Sequence, residues 1–314
     1  MKVLINDPLD EHHVEQIRSV GDDIDLVIPG SGEGALDAMP QIEVIFGGMS
    51  RDMFKRAERL RWVQTWGAGI DGMLHPEFVE SEVILTSAKG TVGVHLSEHA
   101  FALLLGLTRG IAWAVRSKDW SEHMSIRHAS WELIDKTMGI VGLGGTGLAV
   151  AERANAFGMR ILAVDPEEVD KPGHVSECWK MDRFYDLLEA SDIVVICCPL
   201  TEETRGLFDR LAFEKMQSHA LLINVTRGKI VDESSLVEAL ESGAVAGAGL
   251  DVTPQEPLPE DHALWQMDNV IITPHTAGGS PNRQDRIVDL FCENLRRIRR
   301  GEDLLCVIDK KKGY

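Results

Sequence analysis

The sequence predicts an α/β protein with two doubly wound parallel sheets. Three observations carry this. Short apolar runs alternate with amphipathic stretches along the chain, the pattern of parallel strands joined by crossover helices. A glycine-rich turn, GLGGTG at 142–147, stands between one such run, Met138–Val141, and a helix-like stretch that closes at Gly158. At 314 residues the chain exceeds one typical core, so two domains are expected.

The first hundred residues supply strand candidates Lys2–Ile5, Asp25–Ile28, Glu43–Phe46, Trp62–Thr65 and Val83–Thr86, with helices at Glu11–Val20 and Asp52–Leu60. Ser50 stands where a hydroxyl can cap the second helix. A helix from Ser97 to about Val115 carries Phe101, Leu103, Leu104, Leu105 and Leu107. It has almost no polar face, so burial is expected. The Trp- and His-containing segment Arg116–Asp135 fits neither period and is read as serving contacts outside its own domain. Alternation resumes at Met138. Strands are expected at Arg160–Val164, Asp192–Cys198, Ala220–Val225, Ala246–Val252 and Val270–Thr273, and a final helix at Gln284–Arg300. This gives a nucleotide domain at 100–286 inserted into a smaller domain made of 1–99 and 287–314, with crossings near His99 and Arg286.

The glycine turn has its meaning from its place. Gly142 allows a tight turn, Gly144 lets backbone approach a pyrophosphate, and Gly147 lets the helix pack on the sheet. Gly145 and Thr146 complete the loop at the helix N-terminus, where free N–H groups face an anion. Strand Arg160–Val164 ends on Asp165, the acidic residue expected to accept from an adenosine ribose. Together these describe a Rossmann-type dinucleotide site.

Composition narrows the partners. The net charge of −18 comes from 32 basic and 50 acidic residues, which disfavours nucleic acid and anionic membrane surfaces. Five irregularly spaced cysteines, two of them adjacent in an apolar strand, read as reduced thiols of a cytoplasmic protein. No leader is read at Met1 and no apolar stretch reaches membrane-spanning length.

Three charged residues lie at or just past strand ends, where open parallel sheets bind ligands. Arg227 follows Ala220–Val225, Glu256 follows the strand ending at Val252, and His275 follows Val270–Thr273. A guanidinium grips a carboxylate through two parallel hydrogen bonds. An imidazole gives or takes a proton near neutral pH, and a carboxylate bonded to it orients the ring. Each residue alone has a structural reading as an ion pair, loop charge or turn cap.

NVTRG at 224–228, GLDV with Glu256–Pro257 after it, and TPHTAG at 273–278 resemble the D-isomer-specific 2-hydroxyacid dehydrogenases. WGAGIDG at 66–72, HLSEHAFALLLGLTR around Glu98, LIDKTMGIVGLG and CPLTEET at 198–204 extend the resemblance over nearly the whole chain. It implies a flavodoxin-like smaller domain and NADH-dependent reduction of a small 2-oxo acid to the (R)-2-hydroxy acid. It implies that Arg227 binds the substrate, His275 is the acid/base and Glu256 its carboxylate. Ala68 and Gly69 would bind the substrate carboxylate through N–H groups, and Met49 would border the pocket with Phe46, Gly47, Gly48 and Trp66. Asp251 would hold the nicotinamide carboxamide. Pro199, Thr204, Thr226 and His275 would line the cofactor. Asp165–Pro166, with Glu167 and Glu168 behind, resembles NAD-preferring members, and no cation follows closely in sequence. Thr146 departs from the larger aliphatic residue usual in the family. Glyoxylate and hydroxypyruvate are the first substrates expected, and a homodimer is expected through the nucleotide domain near Arg116–Asp135. The alternative is an NAD-sensing corepressor-like protein of the same fold.

Two patterns compete. His95, Glu98 and His99 spell H-x-x-E-H, a zinc-protease pattern, but the segment enters an apolar helix and no third ligand stands near, so no metal-ligand set is assigned. Arg296, Arg297, Arg299 and Arg300 stand at a helix C-terminus before Gly301 and offset its dipole.

Overall fold

The computed structural model describes residues 1–30, 32–70 and 72–314; Asp71 of the WGAGIDG stretch lies outside the described residues. The chain forms two compact units, Met1–Val92 with Ser280–Tyr314, and Gly93–Gly279. Both crossings fall earlier in sequence than His99 and Arg286. The reason is that helices do not divide. Gly93–Thr108 is one helix packed along the sheet of the second unit, and Arg283–Arg300 is one helix packed on Glu11–Arg18 of the first.

The first unit has five parallel strands, β1 (Lys2–Ile5), β2 (Asp25–Val27), β3 (Val44–Phe46), β4 (Trp62–Gln64) and β5 (Ile84–Thr86). Their order is β2-β1-β3-β4-β5, the flavodoxin-like winding. Ser50 caps the helix Arg51–Arg56, its hydroxyl accepting from the Met53 N–H at 3.2 Å. That helix and Glu11–Arg18 each stop short of the expected Leu60 and Val20. Phe291, from the last helix, stacks on Phe46 at 4.3 Å and on Trp62 at 5.0 Å between ring centroids. The C-terminal segment thereby completes a core begun by the N-terminal one.

The second unit has seven parallel strands, β6 (Thr137–Val141), β7 (Arg160–Val164), β8 (Glu177–Trp179), β9 (Ile193–Ile196), β10 (Leu221–Asn224), β11 (Gly247–Leu250) and β12 (Val270–Ile272). Their order is β12-β11-β10-β9-β6-β7-β8. The winding reverses between β6 and β9, the place where such sheets open a ligand crevice. Strand β8 is absent from the sequence reading because it is a three-residue edge strand with no alternation to detect.

The expected apolar helix over 97–115 needs correction. It runs from Gly93 to Thr108, then bends by 67° into a second helix, Ile111–Ser117. Gly110 makes the break with a left-handed φ of 65°. Phe101, Leu103 and Leu104 are buried as expected, whereas Ile111, Trp113 and Val115 are exposed. A hydropathy pattern records how apolar a run is, not a change of its direction. The segment after it holds a short helix, His123–Ala129, and an almost fully exposed Trp120 at 89%. No single helix among the described residues is long and apolar enough to cross a membrane. All five cysteines are free thiols.

Candidate active site

The carboxyl ends of adjacent strands in the seven-stranded sheet carry the expected nucleotide residues in a row. Asp165 ends β7, the glycine loop follows β6, Pro199 lies past β9, Thr226 and Arg227 past β10, Asp251 past β11 and His275 past β12.

The glycine loop is shaped by close approach. Gly142 has φ +94°, and a Cβ there would stand 2.8 Å from the Cys198 backbone on β9's exit. A Cβ on Gly147 would collide with the Gly142 carbonyl oxygen. At Gly144 the opposite holds, since the space a Cβ would fill is open. Gly144 is the N-cap of helix Gly145–Ala156 and supplies no side-chain acceptor. The first-turn N–H groups of Gly145, Thr146 and Gly147 are therefore left for an anion, which is what a dinucleotide pyrophosphate requires. The Cys198 thiol beneath this loop is pushed up to about 12 by burial, reinforced by the Asp165 charge. Burial raises the Cys197 thiol as well.

Asp165 is 9% exposed. Its Oδ2 accepts from the Leu143 N–H at 2.8 Å and its Oδ1 from the Glu167 N–H at 2.9 Å. The carboxylate thus fastens the glycine loop to the end of β7. Lys180 lies close by. Its ammonium donates to the Pro166 carbonyl at 3.1 Å. Strand β8 brings this cation to the end of β7, and a sequence reading without β8 has no means to place it there. In the loop after β9, the Thr204 hydroxyl donates to the Pro199 carbonyl at 2.7 Å and accepts from the Thr201 N–H at 2.8 Å.

The loop after β10 is organised by Asn224, which is 1% exposed. Its amide donates to the Arg227 carbonyl at 3.0 Å, and its carbonyl accepts from the Thr226 N–H at 3.1 Å. Arg227 in turn donates to the Thr226 carbonyl at 2.7 Å. Asp251 is 1% exposed. Its Oδ1 accepts from the Thr273 hydroxyl at 2.6 Å and the Thr276 N–H at 2.8 Å, and its Oδ2 from the Ala277 N–H at 2.9 Å. Its observed contacts shape the TPHTAG loop; the carboxamide contact implied by resemblance has only what remains of Oδ2. His99 Nε2 reaches the same loop, 2.8 Å from Thr273 Oγ1. His95 and His99 gather no third ligand among the described residues.

His275 and Glu256 meet. His275 Nδ1 lies 2.8 Å from Glu256 Oε2, while Glu256 Oε1 accepts from the Thr253 N–H at 3.1 Å. The carboxylate fixes the Nδ1–H tautomer. Nε2 has no protein partner among the described residues, and the His275 side chain is 49% exposed. The backbone around it is tight: φ is +53°, and its N–H donates to the Asp251 carbonyl at 2.8 Å. This pair and Arg227 come from three neighbouring strands, β12, β11 and β10.

In the first unit, the loop after β4 is held by Thr65 Oγ1 donating to the Gly67 carbonyl at 2.6 Å and by Arg283 donating to the Trp66 carbonyl at 3.3 Å. Ala68 and Gly69 are exposed, and neither N–H donates within the described residues. Met49 is 4% exposed and packs in the core with Met53, Val63 and Phe78. Phe46 is likewise fully buried, so Gly48 is what the loop after β3 exposes.

Residues 101–277 match the model of the D-isomer specific 2-hydroxyacid dehydrogenase NAD-binding domain. A glyoxylate reductase of Korarchaeum cryptofilum is 35% identical over 277 residues, 86% of this chain and 82% of the relative. A D-3-phosphoglycerate dehydrogenase of Archaeoglobus fulgidus is 32% identical over 305 residues, 96% of this chain. The chain spans only 58% of that relative's length. Among solved structures, a D-isomer specific 2-hydroxyacid dehydrogenase of Xanthobacter autotrophicus Py2 in complex with NADPH and MES superposes with a TM-score of 0.83 at 27% identity, covering 100% of this chain and 99% of that one. An NADPH-dependent glyoxylate/hydroxypyruvate reductase of Sinorhizobium meliloti in complex with NADP and sulfate gives 0.82 at 26% identity, covering 100% and 99%. With the glycine loop, the strand-end row and the His–Glu pair in place, this chain belongs to the D-isomer-specific 2-hydroxyacid dehydrogenase family, oxidoreductases built around a nicotinamide-dinucleotide domain.

Proposed function

We propose that this protein reduces a small 2-oxo acid, glyoxylate or hydroxypyruvate first, to the (R)-2-hydroxy acid with NADH. The observation that supports it most is the 2.8 Å His275–Glu256 pair, with Nε2 left without a protein partner among the described residues. Bound reduced nicotinamide supplies a hydride to the carbonyl carbon. His275 holds the proton at Nε2 and passes it to the carbonyl oxygen, while Glu256 keeps the ring aligned. The Arg227 guanidinium binds the carboxylate and carbonyl and stabilises the developing alkoxide. The resemblance assigns the N–H groups of Ala68 and Gly69 to substrate-carboxylate binding as well, and neither donates within the described residues.

Asp165 supports NADH, since a carboxylate repels a 2′-phosphate. Lys180 beside Pro166 favours a second reading, in which NADPH is also accepted. We read the exposed apolar side chains Ile111, Trp113, Val115, Trp120 and Met124 as the homodimer surface of a cytoplasmic enzyme; Trp120→Asp is then expected to yield monomers by light scattering. The deciding experiment is a panel of 2-oxo acids assayed with NADH and NADPH by loss of reduced-nicotinamide absorbance. Turnover of glyoxylate or hydroxypyruvate with NADH is expected. A preference for NADPH overturns the cofactor assignment. Nucleotide binding with no turnover of any 2-oxo acid overturns the enzyme reading in favour of a corepressor-like sensor.

A further inference from the structure

Outside the active-site row, the first unit holds a second chemistry-bearing cluster at the start of helix Glu11–Arg18. Asp10, the helix N-cap, makes no side-chain capping bond. Asp10, His12 and His13 each bring one ligand atom within 4.8 Å of the others. The His12 and His13 rings lie with centroids 3.8 Å apart, their planes tilted by 38°. His13 is 2% exposed. It places Nε2 2.8 Å from Asp285 Oδ1 and leaves Nδ1 buried with no partner among the described residues. A buried ring nitrogen without a partner is costly unless something fills it.

We propose that Asp10, His12 and His13 Nδ1 bind one divalent transition ion of the zinc class, with Asp285 as the positioning carboxylate. Imidazole donors select such ions over calcium and magnesium, which take oxygen ligands. A metal-bound histidine ordinarily gives its other ring N–H to a carboxylate, and Asp285 supplies that acceptor to Nε2–H. Three protein ligands leave a fourth position to water. Asp10 and Asp285 together balance the double charge. Because Asp285 belongs to helix Arg283–Arg300, the ion would tie the first helix of the unit to its last.

The test is a zinc titration of the full-length chain in competition with a chromogenic chelator, with cobalt absorption as a second readout. One equivalent of zinc is expected, together with a rise in melting temperature. His12→Ala and Asp10→Asn, both exposed, are expected to weaken binding at least about tenfold and to abolish the melting shift, and Asp285→Asn to weaken it about 10–100-fold. His123→Ala, on the other unit, is expected to leave it unchanged. No stoichiometric zinc, or undiminished binding in His12→Ala and Asp10→Asn, overturns the assignment.

Discussion

Replacing Asp165 by Asn separates two roles that one carboxylate combines. The two oxygens accept one backbone N–H each, from Leu143 at 2.8 Å and Glu167 at 2.9 Å, in a site 9% exposed. Asparagine keeps one acceptor and turns an NH2 group toward the other N–H. The loss combines a charge-assisted hydrogen bond with a buried donor left facing a donor, so destabilisation of about 2–4 kcal/mol is expected. For a unit of this size that lowers the melting temperature by roughly 5–15 °C. The second effect is on the nucleotide. Without the Asp165 charge, a 2′-phosphate meets Lys180 with one fewer carboxylate opposing it, so the NADH-over-NADPH ratio of kcat/KM should fall at least about tenfold, or ~1.4 kcal/mol. Calorimetry reads the first effect and steady-state kinetics with both cofactors the second. An unchanged melting temperature refutes the loop-fastening role. An unchanged cofactor ratio refutes the ribose role.

Arg227→Lys keeps the charge but loses the planar fork; kcat/KM for the 2-oxo acid should drop about 10–100-fold, with NADH binding by fluorescence near normal. Glu256→Gln retains an acceptor for His275 Nδ1–H and should lower kcat about tenfold, whereas His275→Ala should remove about 10²–10⁴ of the rate; equal, small losses in both would remove the pair from the chemistry. Asp192 offers a pH test. Burial pushes its carboxyl up, but the Thr137 N–H at 2.7 Å and His219 at 2.7 Å, with Lys136 near, hold it below the usual range. A lowered carboxyl contributes stability above its unfolded value of 3.8 that is lost as pH falls through the folded one. Asp192→Asn should therefore melt lower at neutral pH, with the gap to wild type closing in acid. A gap that persists at low pH would show that charge is not the cause.

Much of this was legible before the fold was known, because the glycine loop, the strand-end acid and the three charged residues lie at positions the chain order itself defines. What was not legible depends on pairing across long sequence distances. His99 acts on the loop after β12 through a contact that no local pattern records, meeting Thr273 across 174 residues. Strand β8 is too short to show a period, and Lys180 is placed by it. The bend at Gly110 divided a run that hydropathy reads as continuous. Met49 shows the limit of a local reading: it stands beside two glycines, and its burial at the exit of β3 is set by the packing of the whole unit.

The stacking of Phe291 on Phe46 and Trp62 bears on synthesis as well as stability. The nucleotide unit is one uninterrupted stretch, Gly93–Gly279, and has all its strands once β12 leaves the ribosome. The five strands of the other unit emerge first, but their sheet lacks one covering helix until Arg283–Arg300 follows. Through most of translation, Phe46 and Trp62 therefore stay without their aromatic cover, an open apolar face of the kind chaperones hold. The unit that starts first must finish last.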